Sequence, residues 1–118
     1  MKIQLKIVNS NNKEVINIED AKDINHFSYT DSYGANNELT ILDKGIEINR
    51  VGDSHNTHLF LKENEKSFVE ISSTEGILKF DAKVLAFERN NDIINLSYKV
   101  NEDQNSIEIK FVGVAYDK

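Results

Sequence analysis

Apolar residues recur at every second position along most of this 118-residue chain, most plainly in Ile94-Leu96-Tyr98-Val100 and Ile107-Ile109-Phe111. A two-residue period puts alternate side chains on opposite faces of an extended backbone, so each such stretch reads as a strand with one buried face. No convincing amphipathic helix interrupts the pattern. A chain built almost wholly from such strands must curl its sheet on itself to find a core.

The turn signals divide the pattern into hairpins. Ile3, Leu5 and Ile7 share a face, the Asn9-Ser10-Asn11-Asn12 cluster turns, and Ile16 and Ile18 return in phase. The stretch Asp20 to Asp23 breaks the alternation before Phe27 and Tyr29 resume it, and Asp31 to Asn37 has the composition of a loop. Leu39 and Ile41 lead into Asp43-Lys44-Gly45, where a tight hairpin with positive φ at Gly45 is expected, and Ile46, Ile48 and Arg50 go back. A turn over Gly52 to Asn56, a strand through Leu59 and Leu61, a turn over Glu63 to Glu65 and a return through Val69 and Ile71 follow. Ser73 to Gly76 turns into a long strand carrying Leu78, Phe80, Ala82 and Val84, whose phase slips by one residue near Leu85 to Phe87. Such a slip marks a bulge, with a short helical turn as the competing reading. Asn90-Asn91-Asp92 and Asn101 to Asn105 separate the last two strands.

These segments make about ten strands joined by short links, with no Pro-rich or Ser-rich linker between them. The expectation is one all-β domain over residues 1–118, an antiparallel meander closed into a barrel of about 8–10 strands, because closure removes the adhesive edges of an open sheet. Lys2 and Lys6, outward on the first strand, read as guards of an edge.

Charge and composition narrow the function classes. A formal net charge of −6 with two arginines, Arg50 and Arg89, argues against nucleic acid as a partner, since phosphate contact relies on clustered Lys and Arg. The absence of Cys excludes a disulfide framework, a thiolate metal site and a nucleophilic thiol. Residues 1–8 alternate instead of forming a signal-peptide core, and no run approaches the roughly 20 apolar residues of a membrane span, so a cytoplasmic protein without membrane insertion is expected. Abundant Asn, Lys and Ile fit an AT-rich bacterial genome.

Four segments carry a family resemblance: Ile46-Glu47-Ile48-Asn49-Arg50-Val51-Gly52, Leu59-Phe60-Leu61, Ser73-Thr74-Glu75-Gly76-Ile77-Leu78 and Ile94-Asn95-Leu96-Ser97-Tyr98. Together they resemble the YwiB-like family of small bacterial proteins, in which an apolar pair precedes Arg-x-Gly, an apolar strand follows, then a Tyr-x-Thr-x-x-Gly turn and a late apolar strand containing Tyr. Arg50-x-Gly52 and Gly76 match, whereas Ile71 stands in place of the Tyr and Ser73 in place of the Thr. The resemblance spans Leu39 to Phe111 and implies a calycin-like, lipocalin-type barrel; it brings no established activity.

The strand phase singles out three polar candidates. Arg50 is in register with Ile46 and Ile48 and so faces the core, where an unpaired guanidinium is too costly to persist. It either closes one end of the barrel by bonding carbonyls or an acidic side chain, the reading that desolvation favours, or holds a ligand anion. Tyr29 and Tyr98 also fall on inward phases, and a buried phenol needs a partner: a protein group or a ligand. His55 and His58 with Asp53 have a metal-like composition, but residues three apart on a strand point to opposite faces, so no metal site is assigned and solvated loop histidines are expected; His26 is outward. Ser72 and Ser73 lack a nucleophile elbow, and no catalytic residue or cofactor is assigned.

Three functions follow in order of preference: a barrel holding a small hydrophobic or amphipathic ligand with Arg50, Tyr29 and Tyr98 as polar anchors; a barrel filled by its own side chains that acts as an interaction or scaffold module; and an enzyme built from separate loops. Interior volume discriminates. A connected cavity of roughly 300 Å³ or more favours the first, and its absence shifts weight to the second.

Overall fold

The computed structural model describes residues 2–9 and 12–112. Their strands are β1 (Lys2–Asn9), β2 (Asn12–Ile18), β3 (His26–Thr30), β4 (Asn36–Leu42), β5 (Gly45–Val51), β6 (His55–Lys62), β7 (Ser67–Ser73), β8 (Gly76–Arg89), β9 (Ile93–Val100) and β10 (Asp103–Val112). They form one antiparallel sheet in the order β2-β1-β10-β9-β8-β7-β6-β5-β4-β3, curled into a nearly closed barrel. Each strand from β3 to β10 pairs with its neighbour in sequence, and the β1–β2 hairpin adds to β10. Among the described residues no helix is long and apolar enough to cross a membrane.

The expected meander is therefore present, with one difference in closure. β2 and β3 remain the two margins of the sheet. Among the described residues no backbone ladder joins them; a side-chain bond crosses the seam instead, from the N–H of Ser32, just past β3, to the Glu14 carboxylate of β2 at 2.7 Å. β1 is consequently internal, and the outward Lys2 and Lys6 guard no edge but lie 3.8 Å from Glu19 and Glu108. Residues 10 and 11 of the expected first turn lie outside the described residues.

β8 makes the corner that lets the sheet curl. Its first half pairs with β7 as far as Ala82 and its second half with β9 from Ala82 onward, with a bulge between Val84 and Ala86 where the sequence phase slips. The bulge reading holds over the helical turn. Beyond the end of β9, residues 76 to 79 are exposed on both faces.

Three turns differ from expectation. Asn36 and Asn37 already belong to β4, so the loop is Asp31 to Ala35; His55 and Asn56 belong to β6; and Asp103 to Asn105 belong to β10. In the β4–β5 hairpin, positive φ falls on Lys44 at 59°, not on Gly45. Gly45 is needed for another reason: a Cβ there would run into the Leu61 carbonyl and the Lys62 backbone of β6. The local twist of a two-residue loop is taken by its second residue, while the glycine lets two strands approach closely.

Inward residues from every layer meet in the core. At the end carrying the β4–β5, β6–β7 and β8–β9 turns, Ile3, Leu5, Ile46, Leu61, Ile94 and Ile109 are fully buried. The β2–β3 connection runs across that end with Ala21 in the core, and its Asn25 carbonyl accepts the Ile41 N–H at 2.8 Å. Buried Ser67 accepts from the Lys62 N–H at 3.0 Å and donates to its carbonyl at 3.2 Å, so the turn beneath is satisfied.

Candidate functional site

The opposite end keeps the same inward phase but changes chemistry. Glu14 on β2 is in phase with Ile16 and Ile18, Asn37 on β4 with Leu39 and Ile41, Arg50 on β5 with Ile46 and Ile48, and Thr57 on β6 with Leu59 and Leu61. Strand register then aligns Tyr29 with Asn37, Asn37 with Arg50, and Arg50 with Thr57. Tyr98 arrives from β9. These residues surround one interior cavity of about 160 Å³, whose apolar wall includes Ile7, Ile48, Leu59 and Ile107.

Arg50 is held by Asp31. Its Nε donates to Asp31 Oδ2 at 2.8 Å, with the two side chains 21% and 9% exposed. The same Oδ2 accepts from Asn37 Nδ2 at 3.0 Å, and Oδ1 accepts the N–H groups of Tyr33 and Ala35 at 3.0 and 3.1 Å. Burial alone would raise the Asp31 pKa, but the bonds from Arg50, Asn37, Ala35 and Tyr33 outweigh it and hold the carboxyl below its ordinary 3.8. Thus the acidic partner that the inward guanidinium requires comes from the β3–β4 loop. Gly34 at φ +82° lets that loop turn tightly enough to supply it.

The Arg-x-Gly pair also has a physical reason. A Cβ at Gly52 would lie 3.1 Å from Arg50 Nη1 and 2.9 Å from the His55 carbonyl, so only glycine lets the β5–β6 turn close over the guanidinium. On the outer side, Arg50 borders a cleft of about 240 Å³ between the β3–β4 and β5–β6 loops. Arg50 therefore borders both this cleft and the interior cavity.

The two tyrosines are buried, each 8% exposed, and among the described residues neither hydroxyl has a hydrogen-bond partner. Burial, then the nearby carboxylates of Asp31 and Glu14, hold the Tyr29 phenol well above its ordinary 10.0, against the pull of Arg50. Burial pushes Tyr98 up to about 12. Both are neutral donors and acceptors at physiological pH. Asn37, 3% exposed, spends its amide N–H groups on Asp31 and the Ala35 carbonyl, leaving Oδ1 without a protein donor among the described residues.

All three candidates from the strand phase, Arg50, Tyr29 and Tyr98, thus converge on one cavity. Glu14, Asp31, Asn37 and Thr57 join them unforeseen, although all but the loop residue Asp31 obey the same alternation that located Arg50. The histidines do not converge, and they are strand residues, not loop ones. His58 faces outward, half-buried, with Nε2 2.6 Å from Glu47 and its ring edge-on to Phe68, while His55 Nε2 lies 3.5 Å from Arg50 Nη1. His26 is outward as expected, bonded to Thr40 at 2.9 Å. Among the described residues no group of three His, Cys, Asp or Glu is placed to hold a metal ion. A shallow depression of about 580 Å³ on β3 to β5 is larger, but it is lined chiefly by the outward polar residues Ser28, Thr30, Asn36, Glu38 and Asn49 and lacks the charged network.

No protein-family model matches the chain, and no curated protein matches it in sequence. In three dimensions it is similar to the crystal structure of YwiB from Bacillus subtilis, with a TM-score of 0.54 and 11% sequence identity over 93% of this chain and 88% of that one. The likeness shows a shared fold.

Proposed function

We propose that the protein is a non-enzymatic binding barrel of the calycin-like kind, which holds one small amphipathic molecule at the polar end of its interior, with Tyr29, Tyr98 and Arg50 as the polar contacts. The observation that carries this reading is the pair of buried, unpartnered tyrosine hydroxyls on one cavity. Burying a polar group without a partner costs about 1–3 kcal/mol, and a ligand that bonds both hydroxyls removes that cost.

The cavity sets the ligand's size. At about 160 Å³ it falls short of the roughly 300 Å³ expected of a drug-sized site and matches the roughly 150 Å³ that accepts a benzene-sized molecule. That volume is too small to enclose a fatty acid or a retinoid. Native mass spectrometry of the protein from its own source, followed by an NMR screen of compounds of about six to nine non-hydrogen atoms, tests the reading. Retained mass, or shifts confined to the backbone amides of Tyr29, Arg50 and Tyr98, supports it; bare polypeptide together with a silent screen refutes it.

The interaction-module reading draws on a different feature. In the two-residue β7–β8 hairpin Ser73 and Gly76 form the closing hydrogen-bonded pair, so Ile77, Lys79 and Asp81 direct their backbone groups away from β7, where β9 no longer reaches. Ile77 and Leu78 are exposed there. A second copy pairing antiparallel about Lys79 would set Leu78 opposite Phe80 twice, a favourable cross-strand contact that works against the repulsion of the two facing Lys79 ammonium groups. Concentration-dependent dimerisation lost in Lys79→Pro supports this second reading, and a monomer at millimolar concentration removes it.

A further inference from the structure

We infer that the ligand of this cavity is a primary or secondary amine carried on a compact apolar body, bound as its ammonium form. The inference rests on the small-ligand reading above and adds the ligand's charge. It follows from the charges and hydrogen-bonding groups that line the cavity.

The cavity is bordered by one guanidinium, Arg50, and two carboxylates, Asp31 and Glu14. Arg50 and Asp31 neutralise each other at 2.8 Å. Glu14 has no cationic partner among the described residues; one of its oxygens accepts the Ser32 N–H at 2.7 Å and the other has no protein partner. The surplus charge at the site is therefore negative. It sits on a half-buried carboxylate where screening by solvent is reduced.

The uncharged groups agree with the charge. Among the described residues Asn37 Oδ1 accepts no hydrogen bond, and the hydroxyls of Tyr29 and Tyr98 each have free lone pairs. An ammonium brings two or three N–H donors, which Glu14, Asn37 Oδ1 and the hydroxyl lone pairs can accept, and its bond to Glu14 is charge-assisted. A carboxylate or phosphate brings only acceptors. It would meet a guanidinium whose charge Asp31 already offsets and would still face Glu14, so an anion is the ligand this cavity selects against. Ile7, Ile48, Leu59 and Ile107 receive the apolar body.

Three probes of nearly equal shape separate the possibilities: benzylamine, benzyl alcohol and benzoate, titrated by calorimetry at pH 7 into the full chain and into Glu14→Gln. The expected order is amine, then alcohol, then acid, with the amine favoured over the alcohol by about tenfold. Glu14→Gln keeps an oxygen for the Ser32 N–H, so the seam stays closed; thermal melting checks this. In that variant the amine preference is expected to shrink to within about twofold while the alcohol still binds. Tighter binding of benzoate than of benzylamine, or an undiminished amine preference in Glu14→Gln, overturns the inference and leaves the small-ligand reading standing. If none of the three binds and broader fragments of the same size also fail, the small-ligand reading falls too.

Discussion

The two ends of this barrel's interior are built from the same strands at the same pleat, yet they are closed by different physics. At the end beneath the β4–β5 and β6–β7 turns, Leu5, Ile46, Leu61, Ile94 and Ile109 interlock and the β2–β3 connection covers them. At the other end the inward positions hold Glu14, Tyr29, Asn37, Arg50, Thr57 and Tyr98, and closure depends on hydrogen bonds to Asp31. Dispersion is non-directional, so branched side chains can fill space completely; hydrogen bonds fix distances and angles, so the groups that make them leave gaps. The cavity sits where one kind of closure gives way to the other.

A matched pair of leucines on β6 tests that contrast most strongly. Leu61 is fully buried at the apolar end, and Leu59, two residues away on the same face, is half-buried and borders the cavity. Leu61→Ala is expected to cost about 4 kcal/mol in urea unfolding and Leu59→Ala about 2 kcal/mol, because a side chain next to empty space has fewer contacts to lose. Equal losses would mean that the two ends are packed alike.

The sequence made the strands of the apolar end legible, though not the β2–β3 connection that covers it, and the polar end only half so. Alternation located the strands, the β8 bulge and the inward placement of Arg50, Tyr29 and Tyr98, because facing is a property of backbone period and needs no knowledge of neighbours. The same rule applied to Glu14, Asn37 and Thr57 would have found them, but each is a residue type usually solvated, and attention to apolar periodicity passes over it. Asp31 is a harder case. Its role depends on a loop reaching over Arg50 from a strand 19 positions away in sequence, and loop conformation is set by tertiary bonds that alternation does not record. Closure was the other loss: whether β2 and β3 join by a ladder or by a single carboxylate depends on barrel circumference, which the count of strands alone does not determine.

Asp31 carries the next largest effect. Asp31→Ala removes the acceptor for four bonds and leaves Arg50 without its carboxylate, an expected loss of about 2–3 kcal/mol. Its pH signature gives a second handle. The folded state holds the carboxyl below its ordinary 3.8, so as pH falls through 3.8 the unfolded chain takes up the proton first, and stability drops until the lowered folded value is passed. Asp31→Asn is expected to flatten that acid limb relative to the parent, measured as urea midpoints from about pH 5 to about pH 2, the range over which carboxyl groups titrate. An unchanged limb would show that the polar end is not held by this charge.

The smallest effect in stability is the most telling about the cavity. Tyr29→Phe and Tyr98→Phe keep the ring and delete a hydroxyl that has no protein partner, so at pH 7 each is expected to be neutral or stabilising by up to about 1 kcal/mol. At high pH the sign is different. Burial keeps both phenols neutral in the folded state, with Tyr98 held to about 12, while in the unfolded chain they ionise near 10.0. As pH rises through 10 the unfolded state loses protons first, and the parent is destabilised. The double phenylalanine variant lacks these groups and is expected to hold its urea midpoint over that range, where the parent's falls. If it instead loses stability at pH 7, the hydroxyls have partners and belong to the structural closure of this end; if it gains stability while losing affinity for small amphipathic probes, the hydroxyls are there for a ligand, since a group that costs the free protein and helps only the complex has no role in the fold.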